Sequence, residues 1–181
     1  VSFAAKDTLA NLIAGILLVL DRPFVVGDRI ELWQAPQRQA SWGDVIDIGI
    51  RATKIRTPDN IVVIIPNSVI MQRDIINWTA SGDSIRLRIP IGIAYNADSK
   101  AAKKVCIESA LACEQVLKQP EPVCIIRNCG ESSVDLELRV WLQDARQRRA
   151  VEDWLTDDIK ERFDDAGIEI PFPQRDLHIK D

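Results

Sequence analysis

Four thiols and a single imidazole are the side chains of this chain best suited to covalent or metal chemistry: Cys106, Cys113, Cys124, Cys129 and His178. Their spacing argues against both. A structural zinc site draws its ligands from close pairs such as C-x-x-C; no such pair occurs and His178 is the only histidine, so no zinc site is expected. Cys106 and Cys113 fall on one face of a helix, and the expectation for all four is a small buried thiol in a reducing compartment. His178 stands almost at the C-terminus, which leaves no Ser–His–Asp or Cys–His arrangement to build. The phosphate-cradling and nucleophile-elbow motifs G-x-x-x-x-G-K-[ST], G-x-G-x-x-G and G-x-S-x-G are absent. The pairs Asp157–Asp158 and Asp164–Asp165 lie on the polar side of a helical pattern and read as solvated surface. The expectation is a protein without catalysis, cofactor or metal.

The elements that would hold any other kind of site then become the question. The chain has 181 residues, room for two small domains or one medium one. A composition of 46% hydrophobic and 28% charged residues is that of a folded protein. With 27 acidic against 23 basic residues the net charge is −4, which disfavours a nucleic-acid binder driven by bulk electrostatics. The first residue is Val, so the chain reads as a fragment. The run "LANLIAGILLVL" is about half of the ~20 residues that a membrane span needs. Lys6 and Asp7 before it, and no small-residue cleavage site after it, fit a signal peptide poorly. A membrane helix cut at its upstream end fits better, as does an amphipathic helix lying along a surface.

This first helix carries two stripes. Leu9, Leu12, Ile13, Ile16, Leu17 and Leu20 form an apolar face. Ala4, Thr8, Asn11 and Gly15 form a second stripe of small or short polar residues, the kind that admits a close neighbour. An ordinary core helix is an equal reading of the pattern. Pro23 closes the helix. From Gly27 to Trp78 the texture changes to short runs, "DRIELW", "WGDVIDIG", "IRATKIRT", "IVVIIP" and "RDIINW". They are broken at "QAPQRQAS", Gly49, "PDN" and "PNS", and read as five strands of a small bent sheet or barrel. "IVVIIP" is apolar on both faces and so should be covered on both. Beyond Gly82, "SIRLRIPIGIAY" and "SSVDLELRVWLQ" alternate as half-buried strands, with "PVCIIRN" a third. Helical periods run through Ala102–Leu117 and Val151–Ala166, the second capped by Gly167. With "IEI" as a last strand the order is β-α-β-β-α-β, a ferredoxin-like α+β layer. The tail "PFPQRDLHIKD" leaves a lone strand that needs partners from elsewhere.

The runs "NLIAGILLVLDRPFVVGDRIEL", "GDVIDIGIRATKIRTPDNIVVIIPNS", "INW" and "AGIEIPFPQRDLHI" together resemble the small-conductance mechanosensitive channel (MscS) family, from about Ser2 to Ile179. The ordered pair "R-x-T-x-I-R-T-x-D" and "V-x-I-P-N-S" carries most of the likeness, with "RPF-x-x-G-D" and "PFPQ" beside it. The resemblance implies an α+β fold in four parts. Residues 1–22 would be the cytoplasmic end of a pore-lining helix, 23–82 an Sm-like β domain, 83–171 the ferredoxin-like domain and 172–181 a strand of an intersubunit barrel. It implies a homo-oligomer, a heptamer, in the bacterial inner membrane, with most of this region on the cytoplasmic side. The partners implied are membrane lipid through upstream helices, and ions and small solutes released in hypo-osmotic shock. By the same resemblance Phe3, Asp7, Asn11 and Gly15 belong to the gating helix. Asn67 and Ser68 would couple the β domain to that helix near Asn11, although a plain turn is the local reading of Asn67. Asp176, Leu177, His178 and Ile179 would form the barrel strand.

Some positions depart from the family pattern. Asp7 stands where the best-known member kinks at glycine; as a good N-cap it could start a new helix at Thr8 and preserve the break. Phe3 falls near a position often occupied by a sealing leucine. "QAPQRQAS" is a long loop for the family. The competing readings are a soluble Sm-like RNA-binding module and a soluble scaffold or sensing oligomer. The negative charge and the lack of an aromatic–basic stacking motif weigh against the first. An upstream apolar run of membrane length would decide against the second.

Overall fold

The structure, a computed structural model, describes residues 2–32, 42–80, 82 and 84–173. Its contacts divide the chain after Gly82 into two compact units, both mixed or β-rich, of the α+β class.

The first unit begins with α1 (Ser2–Asp21). It ends where Arg22 turns into the left-handed region at φ 47° and Pro23 removes the next backbone donor. Five strands follow: β1 (Arg29–Leu32), β2 (Trp42–Ile48), β3 (Ala52–Arg56), β4 (Val62–Pro66) and β5 (Ile75–Asn77). They pair antiparallel in the order β4-β3-β2-β1-β5. Two local devices bend the sheet. The β2–β3 register slips between Val45 and Asp47, a bulge that sharpens the twist. At Gly43 a Cβ would stand 2.4 Å from the Arg56 carbonyl oxygen, so only glycine admits that close approach of the strands. Leu18, Phe24, Ile30, Leu32, Val45, Ile55 and Ile70 fill the core between α1 and the sheet.

Two expectations need correcting here, those for "PNS" and Asp7, and that for "IVVIIP" is met on one face. β4 is an edge strand. Ile65 packs on the core, but Val62 and Ile64 stand 45% and 63% exposed, so the chain itself covers one face of "IVVIIP" and not both. "PNS" is no simple turn, because Asn67 opens a short helix, α2 (Asn67–Met71). And α1 runs through Asp7 without a restart at Thr8. The Asn11 amide nitrogen donates to the Asp7 carbonyl oxygen at 2.9 Å, one turn back, within the unbroken helix.

The second unit is a three-stranded antiparallel sheet, β6 (Ile85–Ile93), β7 (Val123–Cys129) and β8 (Val134–Leu142), in the order β6-β8-β7. Against one face lie α3 (Ser99–Ala112) and α4 (Arg148–Ala166). The Asp98 carboxylate accepts from Lys100 N at 2.8 Å and caps α3. Gly167, at φ 67°, ends α4, and Ile168 N then donates back to Phe163 O at 2.9 Å, a Schellman-type close. The core takes alternate residues of the strands, Leu87, Ile89 and Ile93 with Leu136, Leu138, Val140 and Leu142, and the helix stripes Cys106, Ala110, Leu155, Ile159 and Phe163. "IEI" does not become a strand. Ile168 is buried and Ala94 N donates to Glu169 O at 2.9 Å, but the contact stops there, and Pro171 and Pro173 have no N–H with which to extend a ladder. The observed order is therefore β-α-β-β-α with a paired end segment.

Candidate helix-to-sheet coupling site

The meeting of α1 with β4 and α2 is held by one fully buried carboxamide. Asn67 is 0% exposed, and both polar atoms of its side chain and its backbone N–H have partners. Its Nδ2 donates to the carbonyl oxygens of Gly49 at 2.9 Å and Ile50 at 3.1 Å. Its Oδ1 accepts from the Thr53 hydroxyl at 2.9 Å, and its backbone N–H donates to Arg51 O at 3.1 Å. The side chain thus spans the β2–β3 turn and fixes where α2 starts. The next residue faces the helix: Ser68 N donates to Asn11 Oδ1 at 2.9 Å. Asn11 supplies an acceptor for one of the unpaired N–H groups of the first turn of α2, the task an N-cap side chain performs, although it comes from a distant part of the chain.

Gly15 lies one turn further along the same face of α1. A Cβ there would stand 2.2 Å from Ile50 O and 2.7 Å from Asn67 Nδ2. The position is glycine because the helix axis passes directly over the turn that Asn67 holds. Ala14 and Leu18 are buried beside it, at 5% and 1% exposure. The Asn11–Gly15 part of the small-residue stripe is therefore the side of α1 that faces its own sheet, while Thr8 stays exposed. The apolar stripe is on the outside: Leu9, Ile13, Ile16 and Leu20 are 56%, 49%, 52% and 71% exposed. An ordinary core helix would have its stripes the other way round.

The structure thus brings Asn11, Gly15, Asn67 and Ser68 into one site. Phe3 and Asp7 lie upstream of it in α1, Phe3 in the first turn. Asp176, Leu177, His178 and Ile179 lie outside the described residues. Thr53 and the carbonyls of Gly49 and Ile50 were not singled out from the sequence. A turn glycine and a strand threonine carry no pattern of their own, and only pairing β3 with β4 at Thr53↔Ile65 places them beside Asn67. A second network at the foot of α1 also escaped notice. The Asp28 carboxylate accepts from Val25 N at 2.9 Å, Asn77 Nδ2 at 2.9 Å and the Thr79 hydroxyl at 2.8 Å. It ties the helix-to-strand connection to the end of β5, and explains why "RPF-x-x-G-D" and "INW" occur together. Arg29 adds a two-pronged ion pair to Asp44, at 3.0 and 2.8 Å.

Among the described residues no cluster of His, Cys, Asp or Glu could hold a metal ion. Cys106 and Cys124 meet inside the second unit. Their contact and their burial push the Cys106 thiol well above its ordinary range, so it is inert as a nucleophile. Among the described residues no helix is long and apolar enough to cross a membrane.

These two units correspond to two family models: the mechanosensitive ion channel β-domain over residues 7–80 and the C-terminal domain of the mechanosensitive ion channel MscS over residues 87–170. The chain belongs to the MscS family. It is similar to the small-conductance mechanosensitive channel of Edwardsiella ictaluri, with 32% identity over 99% of this chain and 60% of that one. It is 30% identical to mechanosensitive channel MscK of Escherichia coli, over 98% of this chain and 15% of that protein. Its fold matches the closed-state crystal structure of Helicobacter pylori MscS with a TM-score of 0.86 and 28% identity, over 99% of this chain and 68% of that chain. The chain spans from 15% to 60% of the length of the curated relatives it matches. The α+β architecture expected from the sequence agrees with this family, and the comparisons give no support to the RNA-binding alternative.

Proposed function

We propose that this chain is the cytoplasmic part, with the end of the pore-lining helix, of a tension-gated channel that releases ions and small solutes during hypo-osmotic shock. One observation carries the reading beyond family membership. α1 docks its small-residue side on its own β unit through Asn11 and Gly15, and leaves its apolar side uncovered. A helix so arranged is tethered to a folded domain while offering its apolar face to other helices. In the full protein those would be copies of itself and the upstream membrane segments. The exposed apolar edge of β4 supports the same assembly, since an unpaired apolar edge is a surface for another chain. The assembly is a homo-oligomer, by family resemblance a heptamer, in the bacterial inner membrane with these units on the cytoplasmic side. The barrel strand at Asp176–Ile179 closes it at the far end.

The test is expression of the whole protein carrying this chain in a bacterial host lacking its own mechanosensitive channels. Rescue of survival after osmotic downshock, with pressure-activated currents in excised patches, is the expected result. Normal membrane expression without either would overturn the proposal.

A further inference from the structure

The sheet face of the second unit that points away from α3 and α4 carries an unusual pairing. Arg88 on β6 lies directly opposite Arg139 on β8. Like charges at opposed positions of adjacent strands destabilise a sheet, so something must offset them. The internal offset is Glu137, two residues along β8 on the same face and only 5% exposed in its side chain. Arg139 Nε donates to Glu137 Oε1 at 2.7 Å, and an Arg127 guanidinium nitrogen lies 3.5 Å from Oε2. Arg127 reaches it from β7 because the β7–β8 register slips between Ile126 and Asn128, which leaves Arg127 as the extra residue of a bulge.

Three guanidiniums thus surround one buried carboxylate. Their planar forks present far more N–H donors than two carboxylate oxygens can accept. The only other acid on this part of β8 is Asp135, which already accepts from the Ser133 hydroxyl at 2.7 Å. Beside the cluster the surface sinks. Pro90 and Gly92 on β6 stand opposite Glu137 and Asp135 and put no long side chain over them. The result is a cavity of about 350 Å³, walled by Arg127, Asn128 and Asp135. It has room for a small molecule, and Arg127 in its wall joins it to the arginine cluster around Glu137.

We propose that this cavity, with Arg127 in its wall and Arg88 and Arg139 next to it on the same sheet face, binds a small multivalent oxyanion, a di- or tricarboxylate or a phosphate. Glu137 orients the guanidiniums and the ligand completes their pairing. Guanidinium forks match the planar carboxylate and the phosphate face in two-pronged geometry, which a lysine patch would not. Asp135, paired with Asn128 in the same lining, repels the ligand and so shifts it towards Arg127 and Arg139.

The experiment is isothermal titration calorimetry on the whole protein in detergent, with citrate and inorganic phosphate as separate probes and chloride at matched ionic strength as the reference. Saturable binding of citrate or phosphate is expected, weakened about 10-fold or more by Arg88→Gln and by Arg127→Gln, the loss of about 1.4 kcal/mol per tenfold. Lys118→Gln, away from the face, leaves it unchanged. Both arginines are exposed, Arg127 66% in its side chain, and circular dichroism verifies that the variants fold. Whichever probe binds tighter identifies the ligand chemistry. Absence of saturable binding, an equal response to chloride, or affinity that survives both arginine substitutions overturns the proposal. Since the measurement reads binding and not current, its failure leaves the channel function standing.

Discussion

Ser68 N donates to Asn11 Oδ1 at 2.9 Å across 57 positions of sequence, joining the middle of α1 to the first turn of α2. It is a single neutral hydrogen bond, partly accessible to water, and so contributes only about 0.5–1.5 kcal/mol. A contact of that size can break and re-form without unfolding the unit, whereas Asn67 beside it cannot be lost so lightly.

Asn11→Ala is therefore expected to leave the thermal midpoint of the whole protein nearly unchanged, within about 1 kcal/mol, while changing closing or inactivation kinetics in patch recordings. Wild-type kinetics at normal expression would remove the contact from the gating path.

Asn67→Ala strips its partner from the fully buried Thr53 hydroxyl and also frees the part-buried carbonyls of Gly49 and Ile50. Buried polar groups left unpaired cost about 1–3 kcal/mol each, so a loss near the top of that range is expected in denaturant unfolding. A loss under about 0.5 kcal/mol would mean that water reaches the site.

Gly15→Ala would add about 1 kcal/mol of helix propensity if the position were free. With backbone oxygen 2.2 Å from the new Cβ, it is expected instead to lever α1 away from the β2–β3 turn and destabilise the unit. A rise in stability would show that α1 leaves this contact easily.

The Arg139 hydrogen bond holds the Glu137 carboxyl below the ordinary value of 4.5; burial opposes the shift, and the charges of Arg139, Arg127 and Arg88 reinforce it. A folded-state value below the unfolded one means that stability is present above the unfolded value and lost as pH falls through the folded one. Glu137→Gln should thus flatten the decline of stability at pH below about 4.5. An acid-unfolding curve parallel to that of the wild type would mean that other carboxylates dominate.

Chain termination after Pro173 tests the barrel strand proposed for Asp176–Ile179. The expected outcome is weaker assembly by native mass measurement, with the circular dichroism of the two units preserved. Unaltered oligomer stability would assign the ring to the β unit and the membrane helices.

Alternating strands, both long helices and the Gly167 cap were legible because each follows a local period or a single steric rule, although α3 stops at Ala112 and not at Leu117, where Cys113 turns extended. The stripe of α1 that meets its own sheet was not. Period alone marks two faces and gives no reason to bury the smaller one, since that depends on the Ile50 carbonyl passing within contact of Gly15. "IEI" misled for a related reason. Alternation promised a strand, but strand formation needs donors on the following residues, and prolines supply none. Asn67 looked like a turn residue because its side-chain partners come from residues 14 to 18 positions away.

The helix α1 is gripped twice, by Asn11 on α2 with Gly15 on the β2–β3 turn, and again by Leu18 in the core. At 1.5 Å per residue, Asn11 and Leu18 are about 10 Å apart along the axis. A rod pinned at one point can swivel and transmits only a pull. Clamped at two, it is a cantilever, and tilting or twisting its free end applies torque to the sheet beneath. The lower clamp is built from apolar burial and the upper from one hydrogen bond and one glycine contact, so overload releases the upper clamp first. In the proposed channel, a sideways tilt of the helix would then load the β unit as well as a pull along it.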